Sequence, residues 1–161
     1  MQKNLSISLV ASFLLATNLF SAQNLETITV TSATKSAQSI KDVTSNVEVI
    51  TKEEIEERHF SGVSEALNTL AGVNVISNGG LGQSDSIFIR GVDSKRILIL
   101  VDGVRYNEPA GLSGAPLAQL LIDDIEQIEV VKGAQSGIWG ADASAGVINI
   151  ITKSAKVGTH G

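Results

Sequence analysis

Five consecutive residues, Ile97–Val101 (ILILV), are all apolar. The side chains of a strand alternate between its two faces, so this strand buries both faces and sits inside a sheet covered on both sides. The strand before it, Ser86–Arg90 (SIFIR), alternates, with Ile87 and Ile89 opposite Phe88. Asp102-Gly103 is a tight-turn signal, and Val104–Tyr106 returns as a short strand. Ile125–Lys153 reads as a strand, a glycine-spaced bend and a second strand. The run at 97–101 also argues against a membrane barrel built by this chain, because barrel strands alternate and end in girdles of aromatics. Only four aromatics, Phe60, Phe88, Tyr106 and Trp139, follow residue 22.

Around these strands the sequence places short helices. Val47–Ile50 is a short strand, and Thr51-Lys52-Glu53-Glu54 matches a capping box, with Thr51 accepting from backbone N–H groups and Glu54 reaching back. The helix it opens runs to about Arg58. A second covers about Val63–Leu70, with Val63, Ala66, Leu67 and Leu70 in one buried stripe and Gly72 as a left-handed stop. Val73–Ile76 is extended, residues 78–82 form a turn, Asn107–Pro116 is a loop and Leu117–Leu121 is a helical turn. Thirteen of the fifteen glycines lie between Gly62 and Gly146, which implies many sharp turns. The expected fold is α+β: a small mixed, mainly four-stranded sheet with short helices and long glycine-rich loops.

The N-terminus has a different character. Residues Leu5–Phe20 carry no charge and follow Lys3, a signal-peptide pattern too short for a membrane span. Residues 1–22 are therefore expected to be removed on export, which moves the net charge from −5 to −6. That balance offers no basic stripe, so nucleic acid is not an expected partner. There is no cysteine, hence no disulfide or thiolate site. Residues 23–41 are polar, small and rich in Thr and Ser, with one extended exception at Thr27–Thr31. They read as a flexible leader.

Catalytic and metal chemistry find no support in the residue pattern. His59, at a helix end where a partial positive charge is favoured, and His160 have no ligand cluster around them. Gly79-Gly80-Leu81-Gly82 lacks the lysine-hydroxyl ending of a phosphate loop. Ser136 has no histidine near it in sequence and no Gly-x-Ser-x-Gly setting. No catalytic, cofactor-binding or metal residue is assigned, and no cofactor is expected. The charges at strand ends, Arg90, Arg105 and Lys132, with Glu126 and Glu129 on an otherwise apolar strand, are either solvated or paired, within the domain or with an outer wall.

Several motifs in order resemble one family. They are Ile28–Thr34 (ITVTSAT), Val49–Ile55 (VITKEEI), Ser64–Val75 (SEALNTLAGVNV), Asn78–Gly91 (NGGLGQSDSIFIRG), Ile97–Asn107 (ILILVDGVRYN) and Ile125–Lys153. Together they are similar to the N-terminal plug domain of TonB-dependent outer-membrane receptors, most of all the vitamin B12 (cobalamin) transporter and colicin-receptor branch. Ala134 stands where the family has proline, Ile138-Trp139 replaces Leu-Tyr, and Ala145 replaces the first glycine of a pair.

The resemblance divides the chain into a signal peptide (1–22), a leader with the energy-coupling (TonB) box (23–41), a plug domain (42–153) and a tail (154–161), without the barrel. It implies a plug in the lumen of a 22-stranded outer-membrane barrel, normally of the same chain. Glu26, Thr27, Ile28, Thr29, Val30 and Thr31 would contact the periplasmic C-terminal domain of TonB. Arg90, Arg105, Glu126, Glu129 and Lys132 would form the plug–barrel charge network. Ser77, Asn78, Leu81, Gln83, Asn107, Glu108 and Pro109 would face a small chelate such as cobalamin, haem or a ferric siderophore. The location implied is the outer membrane. The competing reading is a free-standing periplasmic binding or adaptor module, which cannot transport.

Overall fold

The computed structural model describes residues 28–39, 46–80, 83–109 and 114–154. The signal peptide expected at 1–22, the box residues Glu26 and Thr27, the loop residue Leu81 and positions 155–161 of the tail lie outside the described residues.

The central sheet contains β3 (Val47–Thr51), β6 (Ile97–Val101), β7 (Val104–Arg105), β8 (Ile125–Lys132) and β9 (Gly146–Thr152), in the order β3-β8-β9-β6-β7. Only β6 and β9 run parallel; the other pairs are antiparallel. Four full strands and a two-residue edge strand account for the expected mixed, mainly four-stranded sheet. Asp102 and Gly103 join β6 to β7 with φ of 50° and 78°, both positive as a type I′ turn requires. The Asp102 carboxylate also accepts from the Thr152 N–H (2.8 Å) and hydroxyl (2.7 Å), so the turn is tied to the end of β9.

Both faces of the sheet are covered, as the ILILV run demands. Ile97 and Ile99 point to a larger core with Ile128, Val130, Ile148 and Ile150. This core is closed by α1 (Lys52–Arg58), α2 (Val63–Asn68) and the hairpin of β4 (Val73–Ile76) with β5 (Ser86–Ile89). Thr51 caps α1 by accepting from Glu54 N (3.4 Å), but Glu54 does not close the capping box; its carboxylate instead binds Arg58 at 2.7 Å. His59 ends α1 in a left-handed conformation. α2 stops at Asn68, two residues early, because the Asn68 amide bonds both Val75 N (2.7 Å) and Val75 O (3.1 Å) in place of a strand neighbour.

Leu98 and Leu100 point to the second face, with Val131, Val147 and Ala143. Part of the segment expected as a leader over 23–41 covers this face. Residues 28–39 are docked there, with β1 (Thr29–Val30) paired to β2 (Gln38–Ser39) and with Val30 and Ala33 buried. Hydrogen bonds between the segment's backbone and polar groups of the sheet add to this attachment.

Candidate functional site

The docked N-terminal segment rests on one carboxylate. A register shift between Ile125 and Gln127 in β8 sends Ile125, Ile128 and Val130 to the larger core and turns Gln127, Glu129 and Val131 to the second face. Glu129 is 0% exposed, and a buried charge must be bonded or it destabilises the fold. Here its partners are N–H donors. Thr31 N lies 3.0 Å from both oxygens, Ser32 N donates at 2.7 Å, and Gln127 Nε2 donates at 2.9 Å. Gln127 also bonds Thr29 O at 3.0 Å, and Asn149 Nδ2 donates to the Thr31 hydroxyl at 3.1 Å. From the bend, Trp139 at the end of α3 (Ser136–Trp139) donates its indole N–H to Ser32 O at 2.6 Å. The Lys35 ammonium lies 4.7 Å from the centre of that ring, within cation–π range.

The five expected network charges fall in different places. Lys132 has a side chain only 3% exposed. It pairs with Glu48 at 2.6 Å and donates to Ala71 O. It and Glu129 are thus engaged within the domain. Arg105 pairs with Asp142 at the surface. Arg90 and Glu126 are exposed, and the Arg90 N–H bonds Gly72 O at 2.7 Å.

The two loops expected to face a ligand meet each other. Asn78 Nδ2 bonds Ser84 O and Ser86 Oγ at 2.8 and 2.9 Å, and Ser84 Oγ bonds Glu108 at 2.6 Å. Ser77 bonds Gly79 O, while Gln83 and Pro109 are exposed. Asn107 is different: its amide bonds Ile99 N (2.8 Å) and Ile97 O (2.9 Å) and serves β6 as a strand substitute. Its amide is engaged by the fold, while the residue still lines, with Lys95, Arg105, Glu108, Pro109 and Asp142, an open cleft of about 440 Å³. Among the described residues no three His, Cys, Asp or Glu side chains gather as a metal site.

Residues 39–147 match the family described as TonB-dependent Receptor Plug Domain. The chain belongs to this family. Plug domains of TonB-dependent receptors are non-catalytic transport modules of the bacterial outer membrane. Among curated relatives, the chain is 39% identical over 158 residues to a protein named Vitamin B12 transporter BtuB from Vibrio vulnificus (strain CMCP6), covering 97% of this chain and 26% of the relative. It is 36% identical over 153 residues to the protein of that name from Photobacterium profundum, covering 94% and 25%. The chain thus spans about a quarter of the length of these relatives. Among solved structures, the siderophore receptor PiuA from Acinetobacter baumannii is similar with a TM-score of 0.59 and 33% identity, covering 75% of this chain and 16% of that one. A ferric enterobactin receptor (PfeA, mutant R480A, in complex with enterobactin) from Pseudomonas aeruginosa gives 0.55 and 34%, covering 70% and 18%. Within the plug, Glu129, Lys132 and Trp139 lie inside the matched range, whereas β1 and the turn it enters precede it.

Sequence reasoning missed Ser32, Gln127, Trp139 and Asn149 as parts of the seat. The available signal was a pair of amides, Gln127 between Glu126 and Glu129 in β8 and Asn149 among the apolar residues of β9. A polar side chain there needs a partner on the covered face.

Proposed function

We propose that this plug domain gates a TonB-dependent receptor that takes up a small metal chelate, a cobalamin, haem or a ferric siderophore. Cobalamin is favoured, because the curated relatives matched over nearly the whole chain are named as vitamin B12 transporters. Glu26–Thr31 is the strand offered to the periplasmic C-terminal domain of TonB, and the plug sits in the lumen of a 22-stranded barrel. Arg90, Arg105 and Glu126 face the barrel wall. Ser77, Asn78, Leu81, Gln83, Glu108 and Pro109 face the chelate, which needs the barrel loops to complete its site.

The observation that carries this reading is the docked segment itself. Thr29–Val30 is extended, and the segment is held at Thr29, Thr31 and Ser32 by hydrogen bonds to its backbone, with Val30 and Ala33 its buried apolar side chains. Strand addition uses the backbone for affinity and the side chains for register, and a segment attached in this way can exchange one set of backbone partners for another. The test is capture of the chain by immobilised TonB periplasmic domain, comparing wild type, Ile28→Pro and Lys95→Ala. Proline removes an N–H and disfavours a paired strand, so Ile28→Pro should lose most of the capture while Lys95→Ala keeps it. Equal capture of all three would mean that another surface makes the contact.

A further inference from the structure

We propose that Glu129 and Trp139 clamp Ser32 as a latch on the coupling segment, and that the buried Ser32 hydroxyl keeps the latch releasable. The coupling role of the segment is the one proposed above; the latch is a statement about what holds it.

The peptide groups of Ser32 are gripped from two elements. Its N–H donates to Glu129 Oε2 at 2.7 Å from β8, and its carbonyl accepts from Trp139 Nε1 at 2.6 Å from the bend. Hydrogen bonds to an ionised acceptor are short and strong. Ser32 is itself fully buried, yet its Oγ has no hydrogen-bond partner, the one such buried side-chain atom among the described residues. A buried, unpartnered hydroxyl disfavours the state that buries it, and undocking returns it to water. The seat therefore combines strong bonds to the backbone with a group that opposes closure. An alanine at 32 would keep both backbone bonds and remove the opposition. Glu129 and Trp139 are thus positioning residues, whose effect on coupling passes through the segment they hold.

The opposing signs give the test. Amide hydrogen exchange is measured on the purified chain at Thr31 and Ser32, with Ile148 and Ile150 in β9 as internal controls. Emission of Trp139, the single tryptophan of the chain, is followed in parallel. Glu129→Gln and Trp139→Phe should speed exchange at 31 and 32 by about tenfold or more, and Ser32→Ala should slow it by about tenfold, all with the control amides unmoved. Trp139 emission should shift to longer wavelength in Glu129→Gln. Loss of protection at 148 and 150 together with 31 and 32 in Trp139→Phe would make the contact a general structural support and overturn the latch. So would exchange at 31 and 32 that stays at the wild-type rate in Ser32→Ala. If Glu129→Gln fails to fold, Trp139→Phe and Ser32→Ala decide the matter, since neither leaves a buried charge unpaired. Exchange that moves as stated while TonB capture does not follow it supports the latch and removes the coupling role from the segment.

Discussion

Gly146 opens β9 directly against the backbone of β8, and an added methyl there has nowhere to go. A Cβ built on Gly146 would lie 2.5 Å from Val131 O and 2.9 Å from Ile89 Cδ1, where ordinary contact begins near 3.4 Å. The isoleucine methyl can rotate away. The carbonyl belongs to the backbone of β8, paired with β9 from Ile125 to Lys132, so the two strands must separate by about 0.9 Å at that end. Overpacking of this kind costs roughly 1–3 kcal/mol, and a rigid obstacle places it at the upper end. Gly→Ala recovers about 0.4–1 kcal/mol through the unfolded chain, which leaves a net loss of about 2 kcal/mol. For a folded body of this size that is a fall in Tm of roughly 6–10 °C. Gly137 in α3 is the control, because a Cβ there meets nothing within 4 Å; Gly137→Ala should melt at or slightly above wild type. Thermal unfolding followed by far-UV circular dichroism reads both. A Gly146→Ala protein that melts within about 2 °C of wild type would refute the close approach. The same geometry explains why Ala145 is tolerated: it is absent from the positive-φ residues and packs against the larger core, so only the second position of the glycine pair requires glycine.

Two further outcomes follow from the charges. Lys132→Met removes a buried ammonium but leaves Glu48, whose side chain is 37% exposed and can return to water. The loss should be about 1–2 kcal/mol, below that of an orphaned buried charge, and urea titration of the chain by itself should detect it; an unchanged midpoint would place the role of Lys132 outside the domain. Glu65, at the start of α2, accepts from the Ser61 hydroxyl and N–H, which hold its carboxyl below the usual carboxylate range. A lowered folded value means that this contribution is present above the unfolded range and fades as pH falls through the folded value. Wild type should thus lose its advantage over Glu65→Gln on acidification, and a gap that widens toward acid would contradict the assignment.

Much of the fold is legible in the residues because local signals and tertiary needs agree. The alternation of Ile87, Phe88 and Ile89 survives as buried, half-buried, buried, Thr51 caps the helix it precedes, and Asp102-Gly103 makes the turn its composition demands. The two-sided burial of 97–101 was also legible, and it called for a cover on the second face. The identity of that cover was not, because residues 28–39 carry only Val30 and Ala33 as buried apolar groups and by composition resemble a loose leader. Their attachment comes from a buried carboxylate, and no local pattern separates Glu129, which is buried, from Glu126, which is exposed. The distinction rests on a strand irregularity at 125–127, which becomes visible only once β8 is paired. Asn107 shows the same limit: nothing local in the sequence says that its amide completes the backbone bonds of β6.

The absence of cysteine from the chain makes the proposed coupling contact directly measurable. Single cysteines placed in turn at 26 through 31, and at the exposed controls Lys95 and Glu126, can be tested for disulfide cross-links to single-cysteine TonB periplasmic domains in the bacterial envelope. The expected result is strong cross-linking confined to 26–31 and alternating along it, Ile28 and Val30 favouring one set of TonB positions and Thr27, Thr29 and Thr31 the other, as an added strand requires. Cross-linking that is equal at 95 and 126, or absent from 26–31, would contradict the assignment of this segment as the strand that couples the plug to TonB.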